Sequence, residues 1–364
     1  MYCYRTIKNK KETSTMIPIS VCIITKNEAE HLEKCLEALK PYPFEIVIVD
    51  TGSTDNSKEI ARKYTNKVFD FEWVKDFSAA RNFSISRASH NMILVLDTDE
   101  FLLEFDFDQV QRLMAEHPKS VGLIKRLDYF EIDGERHCQT TIIDRLFNRK
   151  YYRYERPIHE ILVPITNIST TSYNLPIVAD HVGYVGSVEK LYEKSMRDIE
   201  LLLPEIEKNP DEPYNYFQMA QSYLCMRNQE QAFEYFKMAM KRNPPPGEDY
   251  TRILVCNYGN ILLDYNKAEE ARSLLSFYDD YNDNADYLCM IGVMYLHLNQ
   301  HLKALPELVK ALSAPSRDSV ESRVISYYIG YIYEVFGQKD IARQHYQKCG
   351  EFEPALEALQ RMDG

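Results

Sequence analysis

The residues best suited to chemistry are Asp97 and Asp99, which with Glu100 close the apolar run 92–96. A short apolar run that ends abruptly in charge reads as a buried strand arriving at a sheet edge. Two carboxylates at i and i+2 form a compact hard-oxygen site. Such a site suits Mg²⁺ or Mn²⁺ held together with a diphosphate. A lone Asp-x-Asp also fits a solvated strand end, so the neighbouring elements must decide.

Those elements repeat a pattern. Strand-like runs at 19–24, 45–49, 67–69 and 92–96 alternate with helical stretches. The first helix carries Leu32, Leu36 and Leu39 on one face, the second spans 55–64 with Thr54 as its cap, and the third spans 76–88. Alternation of this kind predicts an α/β domain with a mostly parallel sheet and right-handed crossovers. Three strand ends, 25–28, 50–55 and 97–99, then share one edge, where ligands of open α/β sheets bind. The edge is acidic and has no Gly-x-Gly-x-x-Gly or Walker loop. A diphosphate there needs a metal to neutralise it. Asp50 can accept from a ribose hydroxyl or a base N–H, and Gly52 allows a tight turn close to a ligand.

Four segments carry a family resemblance. Thr25-Lys26-Asn27-Glu28 after its strand, Asp50-Thr51-Gly52-Ser53-Thr54-Asp55, Ala80-Arg81-Asn82 and Asp97-Thr98-Asp99 together resemble the family 2 glycosyltransferases of GT-A fold. The resemblance implies a nucleotide-sugar donor (a UDP-sugar is expected), Mn²⁺ or Mg²⁺, and inversion at the anomeric carbon. It implies that Asp50 binds uracil or ribose, Asp97 touches ribose, Asp99 binds the metal and Arg81 holds the nucleotide or diphosphate. Thr25, Asn27, Glu28, Ser53 and Thr98, in the same motifs, are further donor-contact candidates. A different partner for Arg81 would be Asp76 on its own helix.

Past a helix at 107–116 and a strand at 121–127 come Asp144-Arg145-Leu146-Phe147, His159-Glu160 and His181-Val182-Gly183-Tyr184. This series is similar to family members with a C-terminal tetratricopeptide region, among them peptide S-glycosyltransferases of the sublancin-modifying type. An acceptor O–H or S–H must lose its proton as it attacks, which asks for a general base. Glu160 or His159 fits by type, with Asp144 in reserve. His181 is the candidate for an additional metal ligand, since neutral imidazole is a common one.

The second half is repetitive. A helix over 188–208, capped by Ser187, leads to Pro213, and four copies of a helix–turn–helix pattern follow. Each copy has a small residue where two helices cross (Ala220, Gly259, Gly292, Gly330) and an Ala twelve residues later (Ala232, Ala271, Ala304, Ala342). This is the tetratricopeptide pattern, and it predicts an all-α solenoid. Many of the 27 tyrosines thereby become packing residues. The expected domains are an extension (1–16), the catalytic domain (17–186), a linking helix (187–212) and the repeats (213–364). A solenoid groove suits a peptide or protein acceptor, and the repeats also suit self-association as a homodimer.

The net charge of −12 argues against nucleic acid and anionic membrane as partners. The N-terminal residues lack the apolar segment of a signal peptide, no run matches a membrane span, and the eight cysteines stand singly. A cytoplasmic location is therefore expected. The function expected is transfer of a sugar to a Cys or Ser of a polypeptide, or to a glycan. A nucleotidyltransferase, or an adaptor with a vestigial catalytic domain, are the alternatives.

Overall fold

A computed structural model describes residues 18–132, 135–165, 167–182 and 188–363. The expected extension, the Gly183 and Tyr184 positions and the Ser187 cap lie outside them. The chain divides into two compact units between Leu191 and Tyr192, within the helix expected to link them. Among the described residues, no helix is long and apolar enough to cross a membrane.

The first unit opens with β1 (Ile19–Thr25), α1 (Ala29–Leu39), β2 (Glu45–Asp50), α2 (Ser57–Tyr64), β3 (Val68–Asp70), α3 (Phe77–Arg87) and β4 (Met92–Val95). Then come β5 (Glu100–Phe105), α4 (Phe107–Glu116), β6 (Val121–Ile132), β7 (Glu135–Asn148), β8 (Tyr152–Glu155), β9 (Ile161–Pro164) and β10 (Ser172–His181). One eight-stranded sheet runs β3-β2-β1-β4-β7-β6-β10-β5, and β8 pairs with β9 alone. The half built from β1 to β4 is all parallel, as the alternation requires. The other half is mixed: β7 runs antiparallel to β4 and β6, and β10 is parallel to β6 but antiparallel to β5.

The strands of the parallel half are apolar because both faces are covered. Helix α1 buries Leu32, Cys35, Leu36 and Leu39, the i, i+3, i+4, i+7 spacing of a single helical face. Strand β10 alternates instead, burying Tyr173, Leu175, Ile177, Ala179 and His181. His181 is thus the last of a row of core-facing positions.

Thr54 does not cap α2. Its N–H (2.7 Å) and hydroxyl (3.3 Å) both donate to Asn27 Oδ1, and the helix starts three residues later with Asn56 as a cap that makes no side-chain bond. Tying the β1–α1 loop to the β2–α2 loop outweighed the local cap. Asp76, in contrast, caps α3 by accepting from Ala79 N at 2.9 Å, so it is not the partner of Arg81.

The helix α5 (Val188–Lys208) carries the division, and the second unit continues with α6 (Pro213–Cys225), α7 (Gln229–Met240), α8 (Asp249–Asp264), α9 (Ala268–Ala271), α10 (Tyr278–Tyr281), α11 (Ala285–His297), α12 (His301–Leu312), α13 (Ser322–Val335), α14 (Lys339–Gln347) and α15 (Glu353–Asp363). Paired helices follow the four expected copies. In the second copy the returning helix is broken, a 3₁₀ turn at Arg272–Phe277 separating α9 from α10. The four alanines of the pattern are wholly buried. At Gly292 a Cβ would lie 2.6 Å from Leu308 Cγ, so the helices meet there at backbone distance.

The turn inside each hairpin is built identically. Arg227, Asn266, Asn299 and Gly337 all adopt positive φ, between 55° and 75°. The next N–H in each case reaches back to a carbonyl of the preceding helix: Asn228 to Tyr223, Lys267 to Leu262, Gln300 to Tyr295 and Gln338 to Tyr333. These are Schellman closures, whose left-handed residue is best Gly or Asn. Arg227 is the departure. Arg227→Gly is expected to raise stability by about 0.5–1 kcal/mol, because relief of the left-handed strain exceeds the added chain entropy. An unchanged or lower urea midpoint would contradict this.

Candidate active site

The sheet edge gathers the expected residues, through two sets of loop contacts. On one side, Asp50 ends β2 and is buried. Its Oδ1 accepts from Gly52 N at 3.0 Å and Ser53 N at 2.9 Å, which needs the turn that Gly52 makes at φ +109°. Its Oδ2 is buried without a hydrogen-bond partner. Asn27 N–H donates to Ser53 Oγ at 2.9 Å, and Glu28 N–H to Ser57 Oγ at 3.0 Å. The Glu28 carboxylate meets His31 Nδ1 at 2.8 Å. Thr25 and Thr98 are buried, and the Thr25 hydroxyl has no hydrogen-bond partner.

On the other side, α3 is clamped to the β8–β9 hairpin. Phe77 N–H donates to Pro157 O at 2.8 Å and Ser78 Oγ to Arg156 O at 2.6 Å. Asn82 and the Tyr154 backbone bond each other reciprocally, at 2.8 and 3.0 Å. The loop so held carries positive φ at Arg156 (80°) and His159 (50°), strain of a kind that collects at functional sites. The clamp brings Arg81 between two acids: Nη2 lies 2.8 Å from Asp97 Oδ1, and Nε donates to Glu160 Oε1.

From Arg81 an alternating series of charges continues across the sheet. Asp97 Oδ2 meets Arg145 Nη2 at 3.0 Å, and Arg145 Nη2 meets Glu100 Oε1 at 2.6 Å. Arg126 Nη1 reaches Glu100 at 3.2 Å and its Nε reaches Asp128 at 2.8 Å. Asp128 Oδ1 lies 2.7 Å from His181 Nδ1, and His181 Nε2 lies 3.4 Å from Asp99 Oδ2. Strand register explains the far end, since His181 sits opposite both Asp128 and Glu100. A bond from Val182 N–H to Asp99 O at 3.2 Å draws Asp99 alongside.

Burial of so many charges is tolerable only because they are paired. Burial alone would raise the Asp97 pKa, but Arg81 and Arg145 hold it well below the usual carboxylate range. Burial would lower that of His181, yet hydrogen bonds and charge from Asp99, with the bond to Asp128, leave it raised.

The pairing leaves a remainder. Five carboxylates (Asp97, Asp99, Glu100, Asp128, Glu160) face three guanidiniums (Arg81, Arg126, Arg145), an excess of negative charge that His181, with its raised pKa, only partly offsets. The excess lies at the Asp99 end, because both Asp97 oxygens are taken by arginines. Asp99 Oδ2 and His181 Nε2, which face each other, are the donors that would hold a cation, and Asp128 orients the imidazole as carboxylates do behind metal-bound histidines. Among the described residues no three His, Cys, Asp or Glu side chains converge on one point as a metal cage. Two protein donors, with phosphate and water completing the shell, are what Mg²⁺ or Mn²⁺ uses beside a diphosphate. The donors therefore fit a divalent cation.

Glu100, Arg126, Asp128 and Arg145 were not singled out above as functional side chains. Arg126 and Asp128 are two apart on β6, Asp128 directly following the 121–127 run. Charge at period 2 in a buried strand is a legible sign that the strand faces a polar site.

Residues 20–174 match the family described as Glycosyl transferase family 2. The chain is 32% identical over 180 residues to a TPR repeat-containing protein of Synechococcus elongatus, a match covering 47% of this chain and 43% of that protein. It is 24% identical over 245 residues to the SPbeta prophage-derived glycosyltransferase SunS of Bacillus subtilis, covering 64% of this chain and 54% of that one. The chain thus spans about half the length of these relatives. Among solved structures it is similar to YrrB, a TPR protein with an unusual peptide-binding site, at 14% identity and a TM-score of 0.40, over 48% of this chain and 88% of that one. The sheet edge just described is accordingly that of a family 2 glycosyltransferase domain, and the chain continues from it into tetratricopeptide repeats.

Proposed function

We propose that the protein transfers a sugar from a nucleoside diphosphate sugar, a UDP-sugar in the first instance, to an acceptor nucleophile by one inverting displacement. The observation that carries this is the carboxylate excess of the cluster that ends at Asp99 and His181, on the same edge as the unpartnered Oδ2 of Asp50. In this reading Asp50 accepts from the base or ribose. Asp97 accepts from ribose, and its arginine partners keep it ionised for that purpose. Asp99 and His181 hold Mg²⁺ or Mn²⁺, which when bound stabilises charge on the departing diphosphate. Thr25, Asn27, Glu28, Ser53 and Thr98 shape the nucleoside side of the pocket. Arg81 fixes Asp97 from one flank.

The acceptor's proton needs a base, for which Glu160, His159 and Asp144 are the candidates. The repeats supply an extended surface suited to a peptide or protein acceptor, in keeping with the tetratricopeptide pattern; a glycan acceptor and self-association through the same helices are the other uses it allows.

Calorimetric titration of UDP with Mn²⁺ and again with EDTA tests the donor reading. Binding that requires Mn²⁺ and tightens with one UDP-sugar is the expected result. Equal binding with EDTA would remove the metal from the reading, and no binding at all would remove the donor.

A further inference from the structure

Strand β7 contains a bulge beside the site. Its partners on β6 are Leu146 opposite Gly122 and Asp144 opposite Leu123, so Arg145 is an extra residue. In a regular strand Asp144 and Arg145 would point to opposite faces. Bulges break that alternation and re-aim side chains, often next to active sites. Here Arg145 bonds Asp97 and Glu100, while the Asp144 carboxylate feels Arg145, Arg81 and Glu160 together. Arg145 thus enters the cluster, with Asp144 directly beside it in the strand.

Glu160 and Asp144 differ in what binds them. Glu160 is spent on Arg81 Nε, and a carboxylate locked to a buried guanidinium is a weak proton acceptor. Asp144 keeps exposed surface, and among the described residues no ion pair holds its carboxylate. Partial burial of the carboxyl pushes its pKa up, against the pull of Arg145 and Arg81, and Glu160 adds to the rise. Two buried polar atoms close by have no hydrogen-bond partner, Arg81 Nη1 and the Tyr154 hydroxyl. The Tyr154 hydroxyl feels the charges of Arg81, Arg145, Asp144 and Glu160, so it belongs to the same electrostatic cluster.

We propose that Asp144 takes the acceptor's proton and that Glu160 is a positioning residue for Arg81. This rests on the transferase reading above. As the acceptor heteroatom bonds to the anomeric carbon, the bond from that carbon to the diphosphate oxygen breaks. The electron pair leaves with the nucleoside diphosphate, and the acceptor's proton passes to the Asp144 carboxylate and on to solvent.

The test uses the full chain, Mn²⁺ and a panel of UDP-glucose, UDP-galactose and UDP-N-acetylglucosamine, with water as acceptor and UDP release as the readout. Asp144→Asn should lower kcat by about 10²–10⁴-fold while UDP affinity stays within about threefold. The acid limb of the wild-type pH profile, where turnover falls as Asp144 is protonated, should vanish in this variant. Its charged neighbours Arg145, Arg81 and Glu160 remain in place. Glu160→Gln should weaken UDP binding and retain the acid limb. Asp144→Ser, smaller at the same exposed position, should behave as Asp144→Asn and guards against a folding artefact. Turnover within threefold of wild type in both Asp144 variants would overturn the proposal, as would loss of kcat with intact binding in Glu160→Gln alone. Wild-type protein that releases no UDP from any donor would instead remove the transferase reading, and this assignment with it.

Discussion

Arg81→Met is expected to destabilise the catalytic unit by about 3–5 kcal/mol, the effect of stripping the partner from buried charge. Arg81 is 7% exposed and joins Asp97 to Glu160. Methionine of similar length would leave Glu160 unpaired and Asp97 held by Arg145 alone. The cost comes from that abandoned charge more than from the lost attraction, so neutralising an abandoned acid should return part of it. The double variant Arg81→Met with Glu160→Gln should be more stable than Arg81→Met by itself, a non-additivity expected of groups in contact. Urea unfolding of the three proteins gives the comparison. A double variant weaker than the single one would mean that packing against the Tyr154 ring, 5.6 Å from the guanidinium carbon, matters more than charge. The pH dependence has a definite sign. Asp97 has a depressed folded pKa, so its contribution is complete above the unfolded value near 3.9 and is lost only as pH falls towards the folded value.

Asp99→Ala should reduce UDP-sugar turnover by at least about a hundredfold and abolish the response of UDP binding to Mn²⁺. A metal on the leaving diphosphate is worth several kcal/mol of transition-state stabilisation, and each 1.4 kcal/mol is about tenfold in rate. Asp99 is the informative position because it is half-buried and, among the described residues, its ion-pair partner is His181, at 3.4 Å. Its removal leaves the arginine series from Glu160 to Asp128 intact, so melting should hardly change. Unaltered Mn²⁺ dependence in the variant would place the cation elsewhere.

How much of this could be read in the residues differs from one part to the next. The parallel half of the sheet was legible because each strand is an apolar run and each helix has one apolar face, as at Leu32, Leu36 and Leu39. The solenoid was legible because Ala and Gly recur where helices touch. What escaped was long-range pairing. No local signal says that β10 inserts between β6 and β5, and only that insertion sets Asp128 beside His181. The partner of Arg81 was hidden for the same reason, since Glu160 is 79 residues away. Thr54 was misread because its true partner, Asn27, lies on another loop. The bulge at Arg145 has no signature in sequence, as it is defined by two strands at once.

The place of β10 also bears on the order of synthesis. Strand β5 is made early but has β10 as its sole neighbour in the sheet, and β6 has its second edge open until β10 arrives. A nascent chain that has emerged only as far as residue 170 therefore displays two strand edges that can pair with other molecules. The helical hairpins beyond, built from contacts close in sequence, have no such waiting period. Chains halted before His181 should aggregate on the ribosome or in the test tube, whereas chains halted between later hairpins should stay dispersed.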